Sequence, residues 1–375
     1  MRVLKFLALL ILLSAGGYLA WIAHTNLSTQ LNAEELPSKN SPEAEELLKQ
    51  MDSIPENGNL QDLLTWAEGS ARLCTPHQVI YLEFGMPLSP STQSTISQAL
   101  SILKRKAPKT AQELIKMNRQ EDARNLLINV MKILRALQRT YETKHLQETL
   151  EVEAELLPLL YDLLVQTRNP SFLKELVSSL QEVERMTLPF DDFIRAERSK
   201  IALFLQQPSK VPEIDELTGT HALFWWFHKR EVVKDLDRIY TELEGRAQNP
   251  PGRAKKIPLL APATDVGKIL QTYGNRWEKL HSPHALHSTV IRLLLLECAS
   301  KAHQLGSALF DPDNPRSAHP IHSDLRADPL SGKLFLKRPD GSWYSPGEDG
   351  VDHKGKEDDI RLPQALQLLK YPLKH

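Results

Sequence analysis

Cysteine is nearly absent from this 375-residue chain: Cys74 and Cys298 stand alone and far apart in sequence. In an oxidising compartment they make at most one bridge, and otherwise they serve as two small buried hydrophobes. An excess of either charge is also missing. Lys and Arg total 46 against 47 Asp and Glu, so there is no global electrostatic case for a nucleic-acid partner, and charge arguments must be local. Common catalytic signatures are missing as well: there is no Gly-x-Ser-x-Gly elbow, no phosphate loop ending in Gly-Lys-Ser/Thr, no His-Glu-x-x-His and no Cys-x-x-Cys. Catalytic groups usually converge from distant positions, so these absences name no enzyme and exclude none.

Long apolar runs are lacking except at the start. MRVLKFLALLILLSAGGYLAWIAHTN carries Arg2 and Lys5 at the edge of a run that reaches Ala23 without an acid. Roughly 20 apolar residues at about 1.5 Å each span a hydrocarbon core, so residues 1–25 read as a transmembrane anchor. Trp21 and Tyr18 suit a membrane interface at its far end. The alternative is a cleaved secretory signal, with Ala15-Gly16-Gly17 as the small-residue cleavage site. In both readings the bulk is exported. The positive flank leaves the start of an anchor in the cytoplasm, which gives a single-pass protein of the bacterial inner membrane facing the periplasm or cell exterior.

Residues 26–40 are polar and aperiodic, a flexible spacer. From Ser41 the pattern turns helical. Ser41-Pro42-Glu43 supplies an N-cap, a first-turn proline and an acid at the positive end of the helix dipole. Leu114, Ile115, Ala123, Leu126, Leu127, Val130, Ile133 and Leu134 recur at spacings of three, four and seven, which predicts two helices joined near Asn118. That phrase resembles a tetratricopeptide-type hairpin, but it has no partner at a fixed period, so no solenoid is expected. Short breaks such as Arg168-Asn169-Pro170 fit antiparallel neighbours in a bundle.

Three helical features bear on chemistry. The cluster His281, His284 and His287, followed by Cys298 and His303, offers imidazole and thiolate ligands of a type that suits zinc. Pro283 argues against a simple helix there and sets His281 in a loop or cap before a helix of roughly Ser288 to Leu309. His319 and His322 add little. Phe224, Trp225, Trp226 and Phe227 read as core, with a ligand groove as the alternative. Arg253, Lys255 and Lys256 read as a solvated linker. Acidic pairs such as Glu153-Glu155 and Asp191-Asp192 read as solvated faces, the latter at a helix start.

The end of the chain changes character. Lys333 to Arg338 extends as a strand, Pro339-Asp340-Gly341 is turn chemistry, and Ser342 to Ser345 returns antiparallel. Beyond lie Gly347, Gly350 and Gly355, interleaved with Asp349, Asp352, Glu357, Asp358 and Asp359. Glycines let a backbone bend sharply, and carboxylates are hard ligands of the kind calcium takes in irregular loops. The spacing is not that of an EF-hand. The order Asp328-Pro329-x-Ser331-Gly332, a hairpin, Tyr344-Ser345-x-Gly347-x-Asp349-Gly350 and Asp358-Asp359-Ile360 resembles the carboxy-terminal region of the major pseudopilins of type II secretion. It is similar also to tails on larger uncharacterised exported bacterial proteins. The resemblance covers about the last fifth of the chain and implies a calcium-binding loop with acids matching Asp349, Asp358 and Asp359. MRVLKFLALLILL lacks the pseudopilin processing signal, so pilus assembly is not implied.

The chain is therefore expected to be mainly α: a transmembrane helix (1–25), a spacer (26–40), an irregular α-helical bundle (41–310) and a small C-terminal β-hairpin and loop module (311–375). Asp349, Asp352, Asp358 and Asp359 are the expected metal ligands and calcium the expected cofactor. The expected role is non-catalytic, a structural or interaction protein of the bacterial envelope with the membrane and an envelope protein as partners. The alternatives are an exported metal-dependent hydrolase using the 281–303 histidine cluster, or a lipid- or small-molecule-binding helical domain.

Overall fold

The computed structural model describes residues 42–74, 90–206, 222–254, 262, 264–306, 321, 323–356 and 358–370. The expected anchor and spacer, the side chains of residues 224–227, and Lys255, Lys256, His319, His322 and Glu357 lie outside them. Among the described residues no helix is long and apolar enough to cross a membrane.

The chain is mainly helical, as its periodicity predicts. Helices α1 (Pro42–Asp52), α2 (Leu60–Arg72), α3 (Pro90–Lys116), α4 (Gln120–Gln138), α5 (Thr143–Gln166) and α6 (Pro170–Arg185) form the first part of a bundle. Local chemistry sets their ends. Asn59 accepts from the Asp62 amide while Asp62 accepts from the Asn59 amide, a reciprocal cap that opens α2. The α3–α4 turn falls at Asn118, whose φ of 60° is one of few left-handed non-glycine positions and suits asparagine. Asn169 accepts from the Ser171 and Phe172 amides, with Pro170 at the first helical position of α6.

Helices α7 (Phe190–Gln206), α8 (Ala222–Ala247) and α9 (Asp265–Gln304) complete the bundle. The 40-residue α9 corrects the expectation of a helix beginning near Ser288: it starts at Asp265 and runs through Pro283. Proline in a helix interior costs about 3 kcal/mol through a lost hydrogen bond and a clash. Here Trp277 before it and Ala285, Leu286 and Val290 after it are all buried, and each large apolar side chain removed from water contributes about 1.5–3 kcal/mol. Burial on both sides overrides the break.

Two hydrophobic clusters share α9. The larger takes α1 to α6, the second half of α9 and the C-terminal module. The smaller takes α7, α8 and the first half of α9, with Phe193, Tyr240 and Trp277 fully buried. Polar contacts mark the border between them. Lys200 of α7 is buried and donates to the carbonyls of Thr140 and Tyr141 and to Glu142 Oε1. Glu153, expected on a solvated face, is fully buried on α5, with Oε1 3.3 Å from Arg135 Nη1 and Oε2 3.1 Å from His287 Nδ1. A buried carboxylate needs such partners, and both come from distant helices.

After α9 the chain forms a three-stranded antiparallel sheet in the order β1 (Leu336–Lys337), β2 (Trp343–Ser345), β3 (Ile360–Arg361), then α10 (Leu362–Leu368). The expected hairpin is present and shorter, with Leu336 opposite Tyr344 and Lys337 opposite Trp343. Its turn is closed by Arg338 and Gly341, and the Gly341 φ of 87° needs the residue the sequence places there.

Candidate metal centre

The loop from β2 to β3 is built on left-handed turns at Gly347, Gly350, Lys354 and Gly355. Gly347 is doubly constrained: its φ is 68°, and a Cβ there would lie 2.5 Å from the Asp358 carbonyl oxygen. That close approach brings Asp358 back over the start of the loop. Asp349, His353 and Asp358 thereby each present one donor atom within 4.8 Å of the others. His353 Nδ1 lies 2.9 Å from Asp358 Oδ1, and its Nε2 lies 4.0 Å from Asp349 Oδ2. All three side chains are partly open to solvent.

The other two expected ligands shape the loop. Asp352 Oδ1 accepts from Tyr344 Oη and from the Lys354 amide, both at 2.8 Å, and these bonds hold its carboxyl below the usual range. Asp359 is buried; its Oδ2 accepts from the His353 and Gly355 amides at 2.9 and 2.7 Å. Its Oδ1 is buried too and has no hydrogen-bond partner among the described residues. Burial pushes the Asp359 carboxyl up, against the opposing pull of the two amides. Lys333 Nζ donates to the Gly350 carbonyl, so an ammonium already occupies one loop oxygen.

This donor set fits a divalent cation. Two carboxylates and one imidazole make a three-ligand site of the kind zinc takes, open on its solvent side. Calcium takes six to eight oxygens and would draw further on Asp359 Oδ1, loop carbonyls and water. His353 is the residue that sequence reasoning missed: a lone imidazole within an acidic run carries no spacing signal.

Behind the loop sits Asp328, fully buried. Its carboxylate accepts from Thr289 Oγ1 on α9, Ser345 Oγ on β2, Ser331 Oγ and the amides of Leu330 and Ser331. Thr289 and Ser345 tie the hairpin to the bundle through this one group. Trp343 repeats the tie, its amide donating to Glu297 and its indole to Ser300, both on α9.

His281 and His284 of α9 both pack against Phe190, but the α9 histidines form no three-ligand set among the described residues. His281 stacks on Phe190 with ring centroids 4.6 Å apart, and burial lowers its pKa to about 4. His284 is buried, and its pKa lies well below the usual value through burial and then the charge of Arg135. His287 is paired with Glu153 through Nδ1. Cys74 and Cys298 are buried free thiols whose pKa values burial pushes up, Cys74 to about 12. Among the described residues, Asp349, His353 and Asp358 are the one set of three metal-capable side chains that converges.

No family model matches the chain, no curated protein matches it, and no solved structure matches it.

Proposed function

We propose that this is a non-catalytic, exported protein of the bacterial envelope, held by a single N-terminal anchor, which binds an envelope partner and whose C-terminal module is stabilised by a divalent cation. The observation that carries the cation reading is the convergence of Asp349, His353 and Asp358, beside a buried carboxylate oxygen of Asp359 that has no hydrogen bond among the described residues. A cation held there would join the two ends of the β2–β3 loop, and its binding energy would add to the stability of the folded module. The glycine-punctuated acidic order of the tail, with its likeness to pseudopilins, supports calcium; the imidazole supports zinc. The apolar segment before Ala23 supports the anchor and the export.

The test is calorimetric titration of the full chain in neutral detergent with calcium and, separately, zinc, beside an Asp349→Asn, Asp358→Asn variant. Saturable binding of one metal with a raised Tm, lost in the variant, supports the reading and identifies the ion. Absence of binding by either metal overturns it.

A hydrolase reading has one observation in its favour, a cavity of about 370 Å³ lined by His281, His284 and Ser288. Stoichiometric zinc retained by the Asp349→Asn, Asp358→Asn variant and lost in His281→Ala would move the site there.

A further inference from the structure

A groove of about 890 Å³ lies where the module meets the ends of α5 and α9. Its helical wall carries Tyr161, Val165, Lys301 and Gln304; its module wall carries Arg338, Arg361, Gln364 and Gln367. Two acids also line it, and both are engaged: Glu297 accepts from the Trp343 amide at 2.7 Å, and Asp340 pairs with Arg338 at 3.2 Å. Neither of the other two cations forms an ion pair among the described residues, though the charge of Arg361 also acts on Asp340. Lys301 donates to the carbonyls of Leu164 and Val165, which are neutral, and the Arg361 side chain is exposed and makes no hydrogen bond or ion pair among the described residues. The groove therefore carries three cations against two carboxylates, an excess of positive charge.

Its uncharged lining is equally specific. The carboxamides of Gln304, Gln364 and Gln367 make no hydrogen bonds among the described residues, so three groups able both to donate and to accept face one channel. Such groups suit the alternating N–H and C=O of an extended backbone. Val165, 56% exposed, gives an apolar contact at the edge.

We infer that this groove is the partner-binding surface and that its occupant is an extended acidic peptide segment with an apolar residue. Carboxylates of the segment pair with Arg361 and Lys301, Arg361 in the bidentate geometry open to a guanidinium. The glutamines bond its backbone, and its apolar residue covers Val165. The inference deepens the interaction reading above by naming the surface and the chemistry of the partner.

The test is fluorescence anisotropy of the full chain in neutral detergent with a labelled peptide of alternating Glu and Ala around one Leu, beside a counterpart with Lys for Glu. The expected result is saturable, salt-sensitive binding of the Glu peptide alone, weakened about tenfold by Arg361→Gln, as the loss of a charged hydrogen bond implies. Gln364→Glu, an exposed change that adds a repelling charge, is expected to weaken it similarly. Equal binding of the two peptides overturns the inference, as does Glu-peptide binding that neither variant alters. An acidic polysaccharide, polygalacturonate, that binds with the same variant sensitivity while the Glu peptide does not would overturn the peptide in favour of a glycan. If the chain binds no metal yet takes the Glu peptide as described, the cation reading fails and the groove stands. If it binds metal and ignores both peptides, the groove alone fails.

Discussion

Thr289 Oγ1 on α9 donates a 2.8 Å hydrogen bond to Asp328 Oδ1, a contact wholly buried between the long helix and the C-terminal module. Four further donors converge on the same carboxylate. Removing it leaves those donors buried and unpaired, and each costs about 1–3 kcal/mol in that state. Asp328→Ala is expected to destabilise the chain by about 3–5 kcal/mol, and Thr289→Val by about 1 kcal/mol. Urea unfolding followed by circular dichroism checks both; equal effects would show that the Asp328 network is not the joint described.

The buried pair Arg135 and Glu153 gives a second expectation. Truncating one partner strands the other charge, at a cost of about 3–5 kcal/mol, whereas replacing both by apolar groups of similar size is often nearly neutral. Glu153→Leu is therefore expected to be strongly destabilising, and Arg135→Met combined with Glu153→Leu to recover most of the loss. The recovery will be incomplete, because His287 also loses its partner. A double-mutant cycle in urea measures it.

Two groups respond to pH with opposite sign. Burial raises the Glu197 pKa from 4.5 to about 7. Between those values the unfolded state releases a proton that the folded state keeps, so Glu197 subtracts stability as pH rises through this window and leaves it intact below pH 4.5. Glu197→Gln is expected to stabilise the chain by about 2 kcal/mol at pH 8 and scarcely at pH 4. Burial lowers the His145 and His281 pKa values from 6.5 to about 4. These imidazoles are protonated first in the unfolded state, so their stability is full above pH 6.5 and lost as pH falls towards 4. His281→Phe is expected to flatten that acid limb. Tm measured from pH 4 to pH 8 separates the two arms.

Gly347 tests the loop. Alanine there meets a positive φ and the Asp358 carbonyl together, which costs about 1–3 kcal/mol. Gly347→Ala is expected to lower Tm and to weaken cation binding by opening the distance from Asp349 to Asp358. Gly306→Ala is the comparison: its φ of 89° carries strain but no atom of the described residues lies within 4 Å of the added Cβ, so it leaves binding unchanged. Equal metal affinity in the two variants would separate the turn from the site.

Helices with clean apolar faces were legible from spacing, and so were the turn at Asn118 and the break at Arg168-Asn169-Pro170, where local chemistry decides. The course of α9 through Pro283 was not, because tertiary burial overrode a local rule. Glu153 read as solvated because its partners, Arg135 and His287, come from other helices. The third strand, Ile360–Arg361, is too short to show alternation. At the site, the glycines and Asp349 and Asp358 stood out as turn and ligand chemistry, while His353 became meaningful only once the loop closed on Gly347.

The placement of α9 late in the sequence has a consequence for synthesis. Helices α4 to α6 belong to a cluster whose remaining wall, Leu286 to Ala302, lies more than a hundred residues downstream. As the chain leaves the ribosome those helices lack that wall until residues 286–302 have been made, so their apolar faces stay open while more than a hundred further residues are added. For a chain proposed to be exported, this order of assembly postpones the folded state until the long helix has followed the earlier ones.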